Sequence, residues 1–285
     1  MQTTTKEVNK FYSIAIVICY FGKFPWYFEY FLHSCKYNKM VDFIIITDNS
    51  SEKYNLSSNV AFIPKTLEDI AELVTDKLGL IIKLTDSYKL CDFKPAYGVL
   101  FDDLLKDYDF WGHGDIDVIY GDIRSFITPE ILSSHDLISV RHDFLSGYFL
   151  LFKNERKLNY LFTESKDYKM VFESEKHYCF DETNFEHKAF TKQVPYSEIH
   201  SEIESMMHVV RKLEDRGDIK PYFEFHVVEG VPGQLRWSEG KLFFKDKFEV
   251  LLYHLIVLKT VYVPDSVELP IPNSFFITPQ SIVHN

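Results

Sequence analysis

Three signatures that would assign a function on sight are missing. The 285-residue chain has no GxxxxGKS/T phosphate loop, no HExxH and no GxSxG, which removes the P-loop, zinc-protease and nucleophile-elbow readings. Its 11 histidines are scattered without ligand spacing, so a zinc centre is not expected. Cysteine is scarce: Cys19, Cys35, Cys91 and Cys179 form no CxxC pair, and each has apolar or aromatic neighbours. They read as reduced, mostly structural thiols of a cytosolic protein. Positive charge is also short, with 31 Lys and Arg against 42 Asp and Glu and a net charge of -11. That balance argues against nonspecific nucleic-acid binding, which depends on neutralising phosphates. No polybasic stretch is present to bind anionic lipid, although local basic sites remain open. The start, Met-Gln-Thr-Thr-Thr-Lys-Glu, lacks a signal-peptide pattern. The longest apolar stretch, Phe248 to Val263, is interrupted by His254 and Lys259. It reads as a buried helix followed by a strand, not as a membrane span. The expected location is the cytoplasm, with peripheral contact at the inner membrane face left open.

Apolar residues, by contrast, make up 46% of the chain, enough for a large core. The 26 Phe and 18 Tyr fill cores, and such rings also stack on sugars and bases. Ser13 to Tyr20 is a continuous, β-branched run, as expected of a strand buried on both faces. Pro25 to Tyr37 reads as a helix, Val41 to Thr47 as a second buried strand and Asn59 to Ile63 as a third. Thr66 to Asp69 resembles a helix N-terminus, with the helix running to Gly79. Lys94 to Leu105 and Glu155 to Glu164 read as further helices, and Leu137 to Val140 and Tyr148 to Phe152 as strands. Beyond Asp167 the pattern weakens to a helix at Glu202 to Glu214 and short strands at Tyr222 to Val228, Gln234 to Trp237 and Lys241 to Phe244. This alternation predicts an α/β fold with a mostly parallel central sheet flanked by helices. No linker or repeat divides it, so residues 1–285 read as one domain. About 10–165 form the core, and about 166–285 form an elaboration that completes the site.

Asp109 to Asp122 reads DFWGHGDIDVIYGD. In an extended segment, side chains at i and i+2 point the same way, so Asp115 and Asp117 would converge. Two close carboxylates repel unless a cation or proton intervenes, and hard oxygen ligands suit Mg²⁺ or Mn²⁺. Spacing alone is weak, because solvated turns also carry Asp-x-Asp. Here the pair lies among Phe110, Trp111, Val118 and Ile119, which implies a sheet edge. It also follows three strand–helix units, where ligands gather at strand carboxyl ends. The neighbouring glycines would let a ligand approach the backbone.

Lys94-Pro-Ala-Tyr-Gly98, WGHGDIDVIYGDI, Ser146-Gly-Tyr-Phe-Leu-Leu-Phe-Lys-Asn154 and Leu252-Tyr-His254 together resemble a family of bacterial GT-A-type glycosyltransferases of polysaccharide or lipopolysaccharide biosynthesis. The resemblance runs from the first strand to His254. It implies a Rossmann-like sheet beneath a nucleotide sugar, with a metal bridging the aspartates and the diphosphate. Asp115 would lie near ribose and metal, and Asp117 and His254 would be metal ligands; the alternative for His254 is a core histidine on a helix 248–258. Tyr20 and Phe21 would border the base and ribose. Asp48 would bind uracil or ribose, or else cap a turn. Lys94 and Lys259 would meet phosphates, or remain solvated. Ser146 and Gly147 would border the donor sugar. Asp181 and Glu182 form the best acidic pair outside the motif, for deprotonating an acceptor hydroxyl, binding acceptor hydroxyls, or simple surface charge. Tyr222, Phe223 and Trp237 would close over the site. The expected partners are a nucleoside-diphosphate sugar, UDP-linked by preference, and a glycan or lipid-linked acceptor.

Two rival classes remain. A nucleotidyltransferase acting on sugar phosphates also uses paired aspartates, but it calls for a glycine-rich basic loop where this chain has Tyr20-Phe-Gly-Lys-Phe-Pro25. A non-catalytic carbohydrate-binding protein would account for the aromatics, but not for converging aspartates.

Overall fold

In a computed structural model, residues 11–231 and 234–284 are described. The N-terminal segment read for a signal peptide, 1–7, lies outside them. Among the described residues, fifteen strands form three sheets. In chain order the strands are β1 (Ile14–Cys19), β2 (Asp42–Thr47), β3 (Val60–Pro64), β4 (Phe110–Gly114), β5 (Val118–Tyr120), β6 (Leu137–Ser139), β7 (Phe149–Lys153), β8 (Pro221–Phe223), β9 (Val227–Glu229), β10 (Leu235–Ser238), β11 (Lys241–Phe244), β12 (Phe248–Val250), β13 (Leu252–His254), β14 (Ser274–Ile277) and β15 (Ile282–His284).

The large sheet has the order β3-β2-β1-β4-β7-β6-β8. The β3, β2, β1 and β4 strands are mutually parallel, while β7 runs antiparallel between β4 and β6. The fold is therefore α/β around a mostly parallel central sheet flanked by helices. The β1 run IAIVIC owes its place to residues that are apolar on both pleat faces: Ile14 to Ile18 are at most 1% exposed. Each such side chain contributes roughly 1.5–3 kcal/mol by leaving water. Helix α1 (Phe28–Tyr37) buries Phe28, Phe31 and Cys35 against one side, and Tyr30 faces away from them. Helix α2 (Leu67–Leu78) opens with a reciprocal cap, in which Asp69 N donates to Thr66 Oγ1 at 3.1 Å and Thr66 N to Asp69 Oδ2 at 2.6 Å. The capping signature thus marks this helix start correctly.

A three-stranded sheet, β5-β13-β9, abuts the end of β4. A five-stranded antiparallel sheet, β12-β11-β10-β14-β15, packs its inner face, including Trp237, Leu242 and Phe275, with α1 residues in a third core cluster. No helix among the described residues is long and apolar enough to cross a membrane.

Several expectations are corrected. The stretch Phe248 to Val263 is not a helix followed by a strand; β12 and β13 come first, and a short helix, Leu258–Val261, follows. The reason is tertiary: β13 is the central strand between antiparallel β5 and parallel β9, and all three of its residues are buried, so the run carries no strand alternation that would set it apart from a helix. Lys94 to Leu105 is not one helix. A 3-10 segment, Ser87–Ala96, leads into two four-residue turns, Tyr97–Leu100 and Asp102–Leu105. Pro95 lacks the donor that a continuous helix would use. Glu155 to Glu164 is likewise split into Arg156–Asn159 and Leu161–Glu164. Tyr222 to Val228 is divided between β8 and β9, which belong to different sheets. Trp237 is fully buried and donates its Nε1–H to Tyr120 O at 2.9 Å, so it is a core residue, not a lid.

Candidate active site

The acidic motif leaves the interior of the large sheet, not its edge, because β4 lies between β1 and β7. The chain bends at Asp115 to Asp117 before β5 begins. One neighbouring glycine has a packing reason: a side chain on Gly112 would collide with Leu150 O of β7. The bend opens into a cavity of about 460 Å³ at the carboxyl ends of β1 and β4. That is the place for ligands in an open α/β sheet, and the volume suits a small-molecule site.

The cavity brings together Tyr20, Phe21, Lys94, Asp115, Asp117, Gly147, Asp181, Glu182, His254 and Lys259 from the sequence-derived set. Other members lie elsewhere. Asp48 is exposed, and its Oδ1 accepts from Gly22 N at 2.9 Å, bracing the β1–α1 loop. Ser146 is buried and donates to Phe149 O at 3.0 Å. Tyr222 and Phe223 pair along β6 and do not line the cavity.

Asp117 is the better-buried aspartate, at 7% exposure. Its Oδ2 lies 2.5 Å from Lys259 Nζ and 3.3 Å from His254 Nε2. Burial would raise its carboxyl pKa, but His254 and then Lys259 hold it well below the usual range. His254 reaches it through pairing: β13 runs against β5, His254 opposite Val118, and Leu255 N donates to Asp117 O at 2.9 Å. Burial would lower the imidazole pKa, yet the bonds to Asp117 and Glu229 push it up to about 9.

Asp115 faces Lys94, which is 5% exposed and buried among polar partners. Lys94 Nζ donates to Asp115 Oδ1 at 2.6 Å and to Gly147 O at 2.9 Å, and lies 3.8 Å from Asp181 Oδ2. Burial raises the Asp115 pKa and Lys94 opposes it. Asp181, 3% exposed, is raised further, first by burial and then by Glu182, with Lys94 again opposing. Glu182 behaves differently. It accepts from Gly147 N, and its Oε2 lies 2.7 Å from His187 Nε2. Burial is outweighed by His187, and the carboxyl falls to about 2.

Several participants escaped the sequence reading. Glu229 faces the other ring nitrogen of His254, Nδ1 to Oε1 at 3.3 Å. Arg141 pairs with Glu229, and the Tyr148 ring lies against the His254 ring, tilted by 36° with centroids 4.3 Å apart. Cys19, Cys91 and Cys179 line the cavity instead of serving only as filling, although burial pushes the Cys19 thiol up to about 12. Below the cavity, fully buried Asp92 accepts from Lys89 Nζ at 2.8 Å and from the backbone N–H groups of Tyr178 and Phe180, which fixes the segment leading to Asp181. No local pattern marks these residues, since the contacts that bring them to the site, such as Glu229 with His254 and Asp92 with Tyr178 and Phe180, join positions distant in the chain.

Asp115, Asp117 and His254 offer the ligand types that Mn²⁺ takes, and that Mg²⁺ takes through oxygen, but among the described residues the three such groups whose ligand atoms lie within 4.8 Å of one another are Cys179, Glu182 and His187. The carboxylate behind His254 is the arrangement that metal-binding histidines use. Three cationic side chains, Lys94, Lys259 and protonated His254, now neutralise the same aspartates.

Residues 16–285 match the family of unknown function DUF6625, and the chain belongs to that family. No protein of curated function matches it in sequence. Among solved structures it is similar to the galactosyltransferase LgtC in complex with donor and acceptor sugar analogs, at 12% identity and TM-score 0.34 over 75% of each chain. It is also similar to the apo glycosyltransferase GlyE of Streptococcus pneumoniae TIGR4, at 11% identity and TM-score 0.36 over 74% of this chain and 45% of that one. Apo mouse xyloside xylosyltransferase 1 aligns at 8% identity and TM-score 0.43, over 85% of this chain and 97% of that one. Likenesses this distant do not carry a function.

Proposed function

We propose that this DUF6625 chain is a glycosyltransferase that moves a sugar from a nucleoside diphosphate, UDP by preference, to a hydroxyl of a glycan or lipid-linked acceptor, in surface polysaccharide or lipopolysaccharide synthesis. The observation that carries the reading is that Asp115, Asp117 and His254 line one 460 Å³ cavity, with His254 Nε2 3.3 Å from Asp117 Oδ2 and with Lys94 and Lys259 on the two aspartates. In this reading the three hold Mn²⁺ or Mg²⁺. The ion supplies Lewis acidity, countering charge on a leaving diphosphate.

The chain's own groups do the rest. Tyr20 and Phe21 border the nucleoside. Lys259, released from Asp117, turns to a phosphate oxygen, and Lys94 keeps Asp115 and Asp181 compatible while buried. Asp181, which lines the cavity 3.8 Å from Lys94 Nζ, holds a sugar hydroxyl and is the base for an inverting reaction. Glu182, engaged by Gly147 N and His187, fixes the adjoining turn. No observation favours a nucleotidyltransferase: Lys23, the basic residue of the loop after β1, is exposed and does not line the cavity.

The test is nucleotide release from a panel of nucleotide sugars with Mn²⁺, comparing Asp117→Asn and Asp117→Ala with the parent chain. Turnover should fall by at least about 100-fold in both, the scale seen when an electrostatic contact to the transition state is removed. Undiminished turnover in both variants would sink the assignment of Asp117.

A further inference from the structure

Glu229 and Arg141 take no direct part in the reading above. Neither lines the cavity, and Glu229 sits behind His254. The backbone places it there: β9 runs parallel to β13 with Glu229 in register with His254, while β5 on the other side sets Val118 opposite His254. Asp117, the residue before β5, thus lies beside His254 of β13, which lies beside Glu229 of β9. The imidazole is held between two carboxylates, Nε2 toward Asp117 Oδ2 and Nδ1 toward Glu229 Oε1, each at 3.3 Å.

Glu229 is itself held. Arg141 Nη1 pairs with its Oε2, while Arg141 Nε and Nη2 grip Asp143 at 2.9 and 2.8 Å. Asp143 Oδ2 also accepts from Thr191 Oγ1 at 2.7 Å, and the guanidinium lies 4.1 Å from the Phe144 ring centroid. A surface ion pair would not need four restraints. This chain, from Thr191 to His254, leaves the imidazole little freedom to rotate, and the Tyr148 ring covers its face at 4.3 Å.

We propose that Glu229, clamped by Arg141, is a positioning residue that fixes the orientation and tautomer of His254, so that Nε2 presents a lone pair to a divalent cation at Asp117. Nδ1 then carries the proton and donates it to Glu229. A carboxylate in that place both aims the ring and raises its basicity as a ligand. The inference rests on the metal-binding reading of the site, and it assigns a role to two residues which that reading does not use.

The experiment is Mn²⁺ affinity by electron paramagnetic resonance, without nucleotide or turnover. Glu229→Gln keeps the side-chain volume and removes the charge; it should weaken Mn²⁺ binding by about 10–100-fold. Arg141→Gln should weaken it in the same direction. On a His254→Ala background, adding Glu229→Gln should change affinity no further, because its effect runs through the imidazole. Circular dichroism of the metal-free variants checks that each is folded; if Glu229→Gln is not, Arg141→Gln carries the comparison. Unchanged affinity in the folded single variants, or a full effect of Glu229→Gln without His254, overturns the role of Glu229. A parent chain that binds no Mn²⁺, or binds it equally well as Asp117→Asn, overturns the metal reading instead, and this inference with it.

Discussion

Replacing Lys94 with methionine removes one charge from a site that holds it for two carboxylates. The ammonium is 2.6 Å from Asp115 Oδ1 and 3.8 Å from Asp181 Oδ2, and its side chain is 6% exposed. Breaking a buried pair by deleting one partner costs about 3–5 kcal/mol. The lower end applies here, because the Asp115 side chain is 36% exposed and partly solvated. Asp181, at 4%, has no such relief. At about 2 °C per kcal/mol for a chain of this size, Lys94→Met should melt about 6 °C below the parent at pH 7. The sign of the pH dependence follows from the carboxyls. Both have folded-state pKa values above their unfolded values, and losing the ammonium raises them further. A carboxyl raised in the folded state costs stability as pH climbs from its unfolded value, about 3.9 for Asp, to its folded one. The deficit must therefore be full at pH 7 and shrink toward pH 4. Melting followed by circular dichroism at several pH values measures it. Equal melting temperatures at pH 7, or a deficit that grows on acidification, would refute the view of Lys94 as the shared counter-charge.

Gly147→Ala should act on the sugar end of the cavity. An added Cβ would lie 2.7 Å from Asp181 Oδ2, 3.1 Å from Glu182 Oε1 and 3.3 Å from Lys94 Nζ. Displacing these groups by part of an ångström should lower turnover by about 100-fold, with UDP affinity nearly unchanged; equal losses in both would place Gly147 at the nucleotide instead. His254 gives a pH test in the metal-free chain. Its folded pKa of about 9 exceeds the ordinary histidine value. Its ion-pair contribution is thus fully present below about pH 6.5 and lost as pH rises through 9. Added Mn²⁺ needs the neutral ring, so its stabilising effect, read by melting, should increase over that window; a constant effect from pH 6.5 to 9.5 would contradict His254 as a ligand.

The sequence carries the α/β core because its signals there are local. The β1 and β2 runs are apolar on both faces, and Thr66 with Asp69 caps α2 within one turn. The paired aspartates were legible for the same reason, with two chemical groups two residues apart. What was not legible depends on pairing at long range. His254 reads as helical until β5 and β9 flank its strand. Glu229 follows two valines and precedes a glycine, and nothing in that string reveals an imidazole 25 positions away. Asp48 stands after β2, where a nucleotide contact or a turn cap is equally readable, and its carboxylate accepts from Gly22 N, a partner 26 positions away.

The central claim, that Asp115, Asp117 and His254 hold a cation for a nucleoside diphosphate, is tested most directly by calorimetric titration of UDP with and without Mn²⁺. UDP should bind measurably only when Mn²⁺ is present, and Asp117→Asn should abolish that dependence. Equal UDP affinity with and without the metal, or binding of oligosaccharide with no nucleotide binding at all, would contradict it.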